Sequence, residues 1–190
     1  MDKELRRIKQ AKNELQKLLL FGSWLTKEMK KKGAKPPIIV GGSALEIYTF
    51  GHYTSGDIDL VAPREWVKEI LLSSGYFREE GRYFISEKLG LFVEVPDEHL
   101  AGDINRVRSI KVPETGEEVF LIGLEDLIID RLLACVFWKS EEDCLMAEVI
   151  IRKYRKEIDL KYLVEKAKEE GVYERLESII NKDEGESPQP

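Results

Sequence analysis

Asp57 and Asp59 stand two residues apart inside the stretch Asp57-Ile58-Asp59-Leu60-Val61. On an extended chain, alternate residues face the same side, so both carboxylates point one way while Ile58 points into a core. Carboxylates held that close repel each other unless a cation lies between them. Magnesium suits the pair, because it takes a few carboxylate oxygens and leaves its other positions to water and substrate phosphates. Two such ions, about 3.5–4 Å apart, stabilise both the attacking and the leaving oxygen of a displacement. Phosphoryl-type transfer depends mostly on that positioning and charge neutralisation. Upstream, the apolar run Ile38-Ile39-Val40 leads into Gly41-Gly42-Ser43. Glycines permit positive φ and a close approach of phosphate to backbone. The free N–H groups of a following helix attract anions, and the Ser43 hydroxyl adds a donor. With 36 Asp and Glu in the chain, an acid-x-acid pair alone says little. The ordered combination of apolar strand, Gly-Gly-Ser, helix, loop and acidic strand says much more.

The elements that must hold these residues follow from periodicity. Leu5, Ile8, Leu15, Leu18, Leu19, Trp24 and Leu25 recur at helical intervals over residues 1–32, predicting one long amphipathic helix or two short ones that end near Gly33. Pro36 and Pro37 break that pattern before the strand 38–40. A short helix is expected over 44–50, a loop over 51–56, a strand over 57–61, and a helix from Pro63 to about Ser74. From Tyr76 to Ile122 the signals turn to strands, at 82–86, 91–95, 107–112 and 118–122, with Glu114-Thr115-Gly116 as a hairpin turn. Four helices are predicted after that, over 124–138, 141–155, 159–170 and 173–181. The expected architecture is α/β: a small mixed, twisted sheet with flanking helices, an N-terminal helix and a helical C-terminal segment. The corresponding boundaries are 1–35, 36–122 and 123–182, with a flexible tail over 183–190.

Composition narrows the setting. The chain has 190 residues, 43% hydrophobic and 35% charged, with a formal net charge of −6. That is enough for one core with a helical appendage, and too acidic to coat nucleic acid by bulk electrostatics. No apolar run approaches the roughly 20 residues that span a bilayer, and residues 1–10 lack the apolar core of a signal peptide. Cys135 and Cys144 offer no zinc-ligand spacing and are read as separate thiols in a reducing cytoplasm.

The stretch from Ile38 to Val61, IIVGGSALEIYTFGHYTSGDIDLV, resembles the signature of the polymerase-β-like nucleotidyltransferase superfamily. Within it, the chain looks most like small stand-alone proteins that include the AbiEii-type toxin nucleotidyltransferases. Ser55 matches the hydroxyl residue that this branch carries two positions before the first Asp. The basic residue that it carries slightly earlier is missing, with only His52 and Tyr53 nearby. The resemblance implies transfer of a nucleoside monophosphate from an NTP, such as ATP, to a hydroxyl, with pyrophosphate leaving. It implies two Mg²⁺ ions (Mn²⁺ as a substitute) on Asp57, Asp59 and a third carboxylate. Glu94, in Phe92-Val93-Glu94-Val95, is the match for the third, with Asp97 as a fallback and an exposed strand acid or an ion pair with Arg82 as the structural alternative. Gly41, Gly42, Ser43 and Ser55 would bind nucleotide, joined by Arg131, Lys139 and Asp143 from the helical half.

The acceptor stays open among a tRNA end, a protein and a small molecule. Trp138, beside Leu132, Leu133 and Phe137, reads as core rather than as a stacking surface, and His99 as a solvated loop residue. Five lysines between Lys27 and Lys35 read as a solvated helix end. A different class of function is also open: a non-catalytic nucleotide-binding or interaction module on the same fold, part of a toxin–antitoxin-like pair. The N-terminal helix would then dock a protein partner or a second copy.

Overall fold

The computed structural model describes residues 3–185. The chain divides into two compact units, the first ending at Gly123 and the second starting at Leu124.

The first unit opens with two helices, α1 (Lys3–Lys9) and α2 (Glu14–Lys31). The division comes at Asn13, whose side chain caps α2 by accepting the Gln16 N–H at 2.8 Å. Gln16 reaches back to the Lys12 N–H at 2.8 Å, a reciprocal arrangement that satisfies donors at a helix start. There follow β1 (Ile38–Ile39), α3 (Gly41–Tyr48), β2 (Ile58–Val61), α4 (Arg64–Ser73), β3 (Arg78–Glu80), β4 (Tyr83–Ser86) and β5 (Leu91–Asp97). A short 3-10 turn at Ile104–Arg106 leads to the hairpin of β6 (Arg108–Lys111) and β7 (Glu118–Leu121).

All seven strands form one mixed sheet in the order β3-β4-β5-β2-β1-β7-β6. The strands that carry the two halves of the motif, β1 and β2, therefore lie side by side within the sheet rather than at an edge. They pair antiparallel, with Ile39 opposite Leu60. β7 extends the sheet parallel to β1, and β5 extends it parallel to β2. Helix α2 packs on β7, α3 and α4, and α3 on β2. The fully buried Phe21, Leu25, Met29, Ile39, Leu45, Leu60, Leu71 and Phe84 form the core between them. The edge strand β3, Arg-Glu-Glu, is exposed throughout and has no apolar alternation to announce it.

The second unit consists of α5 (Leu124–Phe137), α6 (Glu141–Lys153), α7 (Leu160–Glu169) and α8 (Tyr173–Gly185). Ser140 caps α6 and Asp159 caps α7, each accepting a backbone N–H in the first turn. Residues 183–185, expected in a flexible tail, continue α8; residues 186–190 lie outside the described residues.

Two expectations are corrected here. Cys135 and Cys144 are not separate thiols but a disulfide, with Cα atoms 4.7 Å apart. The tight turn at 138–140 folds α6 back on α5 and brings the last turn of one helix against the first turn of the other. Trp138 is not core: it is 84% exposed in that same turn, beyond the end of α5.

Candidate functional site

The site is built on neighbouring strands of the first unit. In the parallel pair β2 and β5, Ile58 lies opposite Val93 and Asp59 opposite Glu94. Ile58 and Val93 are buried, so the alternation turns both acids to the other face. Asp57, just before β2, completes the group. One carboxylate oxygen from each of Asp57, Asp59 and Glu94 lies within 4.8 Å of the others, and all three side chains are half-buried. Three hard oxygen donors at that spacing suit a hard divalent cation, and a thiol- or imidazole-loving metal has no partner among them.

The glycines bring the start of α3 against these acids. Gly41 has φ +57, and a Cβ there would stand 2.5 Å from Asp59 Oδ2. A side chain is thus excluded both by backbone conformation and by contact. At Gly42 a Cβ would stand 2.8 Å from Ser55 Oγ. The N-cap of α3, Val40, supplies no side-chain acceptor, so the first N–H groups of this helix are not capped by their own neighbour.

Ser43 and Ser55 hold the acids in place. The Ser43 side chain is buried; its hydroxyl donates to the Val40 carbonyl at 3.0 Å and accepts the Asp59 N–H at 3.1 Å. It ties α3 to β2 at Asp59, the second residue of the strand. Ser55 Oγ lies 3.5 Å from Asp57 Oδ1, and its N–H donates to Glu46 Oε2 at 2.8 Å. Glu46, on α3, is a buried acid in an otherwise apolar helix. Burial pushes its carboxyl above the ordinary range, opposed by the Ser55 N–H and reinforced by the charge of Glu14. Sequence reasoning passed over Glu46, although an acid within Ala-Leu-Glu-Ile-Tyr is a visible signal. Thr49 Oγ1 accepts the Tyr53 N–H at 3.1 Å and fixes the same loop.

Glu94 answers to both descriptions given from sequence. It belongs to the acidic group, and its Oε1 also lies 3.4 Å from Arg82 Nε. Arg82 stands between β3 and β4, donates to the Tyr83 hydroxyl at 2.5 Å, and lies over the Tyr83 ring. Asp97, the fallback, ends β5 outside the group; the N–H groups of His99 and then Glu98 hold its carboxyl below the usual range. His52 and His99 are exposed. Lys27, Lys30, Lys31 and Lys32 each pair with a glutamate at 2.6–3.0 Å, as a solvated helix end should.

Arg131, Lys139 and Asp143 belong to the second unit. Arg131 Nη1 lies 2.6 Å from Asp143 Oδ1, so these two are brought together, and Arg131 also bonds Asp130 at 2.5 Å. Lys139 is exposed with φ +53 in the turn after α5.

No protein-family model matches the chain, and no curated protein is similar to it in sequence. Its fold does match solved structures. An antigenic nucleotidyltransferase-like protein from Paracoccidioides brasiliensis superposes with a TM-score of 0.56 at 15% identity, over 86% of this chain and 92% of that one. The antibiotic-resistance factor ANT(2'')-Ia in solution gives a TM-score of 0.49 at 15% identity, over 85% and 91%. ANT(2'')-Ia in complex with adenylyl-2''-tobramycin gives 0.41 at 17% identity, over 68% and 94%. The mixed sheet, its flanking helices and the first of these superpositions give the chain a nucleotidyltransferase-like fold.

Proposed function

We propose that this chain is a metal-dependent nucleotidyltransferase that moves a nucleoside monophosphate from an NTP to an acceptor hydroxyl. The observation that carries this reading is the convergence of Asp57, Asp59 and Glu94 within 4.8 Å, against Gly41 and Gly42 at the start of α3, on this fold. Asp57, Asp59 and Glu94 would hold two Mg²⁺ ions, with Mn²⁺ as a substitute, and these supply charge neutralisation at the reacting phosphorus. The backbone N–H groups at Gly41 and Gly42 receive triphosphate oxygens. Ser43 and Ser55 keep Asp59 and Asp57 at their posts. Glu94 accepts the proton of the acceptor hydroxyl as the new P–O bond forms and pyrophosphate departs. Arg131, Lys139 and Asp143 are assigned to nucleotide binding by the resemblance to AbiEii-type proteins. That resemblance also supports an enzyme acting on an RNA end, a protein or a small molecule, and the composition suits a cytoplasmic address.

One observation favours a binding module without chemistry: Glu94 is engaged by Arg82 as well as by its acidic neighbours. Both readings meet in one assay. Wild type and an Asp57→Ala/Asp59→Ala double variant are incubated with Mg²⁺, each NTP in turn, and a cell extract as the source of acceptors. Pyrophosphate release by wild type alone supports the enzyme. Metal-dependent NTP binding with no release supports the module, and neither binding nor release contradicts both.

A further inference from the structure

The acidic group gathers three negative charges within 4.8 Å, and one arginine leans into it. Arg82 is an unusual neighbour for a metal site. Its guanidinium lies 3.4 Å from Glu94, the same carboxylate that a cation between the three acids would need. It is also steadied from outside the acidic group, by the Tyr83 hydroxyl and the Tyr83 ring. Tyr83 is the residue directly opposite Glu94 in the antiparallel pair of β4 and β5, so the sheet register itself places the platform beside the acid. Another cation close by, Lys17, shares a cavity of about 40 Å³ with Asp57, but its ammonium is bonded to Glu14 at 2.8 and 3.0 Å.

We propose that Arg82 is a displaceable counter-ion: it occupies Glu94 in the metal-free protein, yields that carboxylate to the arriving cation, and then binds the triphosphate. The inference rests on the nucleotidyltransferase reading of the acidic site. Its logic is electrostatic. A guanidinium and a divalent cation sharing one carboxylate repel each other, so binding the metal weakens the Arg82–Glu94 pair. The side chain stays anchored at Tyr83, and the next anion to arrive is a polyphosphate, whose oxygens fit the guanidinium fork. Removing Arg82 therefore has effects of opposite sign on metal alone and on metal with polyphosphate. A residue that merely supported the fold would move both in the same direction.

The test is calorimetric and needs no turnover. Wild type, Arg82→Ala and Arg82→Lys are titrated with Mn²⁺ alone, then with inorganic tripolyphosphate in saturating Mg²⁺. Arg82→Ala is expected to bind Mn²⁺ roughly two- to fivefold more tightly, the range that an exposed ion pair spans. It is expected to bind tripolyphosphate about tenfold or more weakly, the loss of a charge-assisted hydrogen bond. Arg82→Lys keeps the charge, so its Mn²⁺ affinity stays near wild type while tripolyphosphate binding falls partway. The Arg82 side chain is 68% exposed, so these variants keep the fold, and far-UV circular dichroism verifies it. Unchanged or weaker Mn²⁺ binding by Arg82→Ala overturns the proposal, as does unchanged tripolyphosphate binding. If wild type binds no Mn²⁺ at all, the nucleotidyltransferase reading falls with it, an outcome separate from the other two.

Discussion

At the scale of single residues, the proposed function rests on carboxylates that gain nothing structurally from being adjacent. Replacing Asp57 or Asp59 by Asn is expected to lower nucleotidyl transfer by about 10²–10³-fold, as when one preorganised charge-stabilising group is lost. The circular dichroism spectrum should stay as in wild type; a variant that unfolds would mean that the acids are structural. Gly41 makes a sharper case. A methyl group there meets both the φ of +57 and the 2.5 Å approach to Asp59. Gly41→Ala is expected to cost roughly 1–2 kcal/mol of stability in denaturant titration, along with most activity; a neutral effect on both would refute the close fit. The three acids were legible because strand alternation and the order of the motif are written locally. Arg82 and Glu46 were harder, because their importance lies in partners that only the sheet register and the packing of α3 bring within reach.

At the scale of elements, the loop between α3 and β2 is held by Glu46, and its burial has a consequence for pH. The folded-state carboxyl titrates above its ordinary value of 4.5. Between those two values the folded chain binds more protons than the unfolded one, so this contribution to stability is present below pH 4.5 and is lost as pH rises through the folded pKa. Glu46→Gln removes that titration and keeps an acceptor for the Ser55 N–H. The variant should therefore gain on wild type as pH climbs above 4.5 and lose that advantage below it. Urea midpoints of both proteins at several pH values check this, and parallel curves would contradict it. In the second unit, reducing the Cys135–Cys144 bridge should cost roughly 2–3 kcal/mol by the loop-entropy argument, read as a lower denaturation midpoint of its helices. An unchanged midpoint would show that the bridge is not formed. Most elements followed from periodicity. The exceptions have physical causes: β3 is an exposed edge strand without alternation, and the disulfide and the exposure of Trp138 follow from a helical hairpin whose turn geometry no local pattern reveals.

At the scale of the whole molecule, a mixed seven-stranded sheet with the motif strands set side by side within it gives the acids a rigid base. Metal binding to that base should stabilise the folded chain. With Mn²⁺ at about a hundred times its dissociation constant, roughly 2.7 kcal/mol of stabilisation is expected, or a rise of about 5–10 °C in Tm for a chain of this size. The rise should be absent in the Asp57→Ala/Asp59→Ala variant. An equal rise in both proteins would move the metal elsewhere. The most direct measurement follows the fate of the phosphates. Wild type is incubated with Mg²⁺, a cell extract, and each NTP labelled either at the α- or at the γ-phosphate. The account predicts that α-label becomes attached to an acceptor while γ-label leaves in pyrophosphate, and that both signals vanish in the double variant. Transfer of γ-label to the acceptor, or transfer of α-label that survives loss of both aspartates, would contradict it.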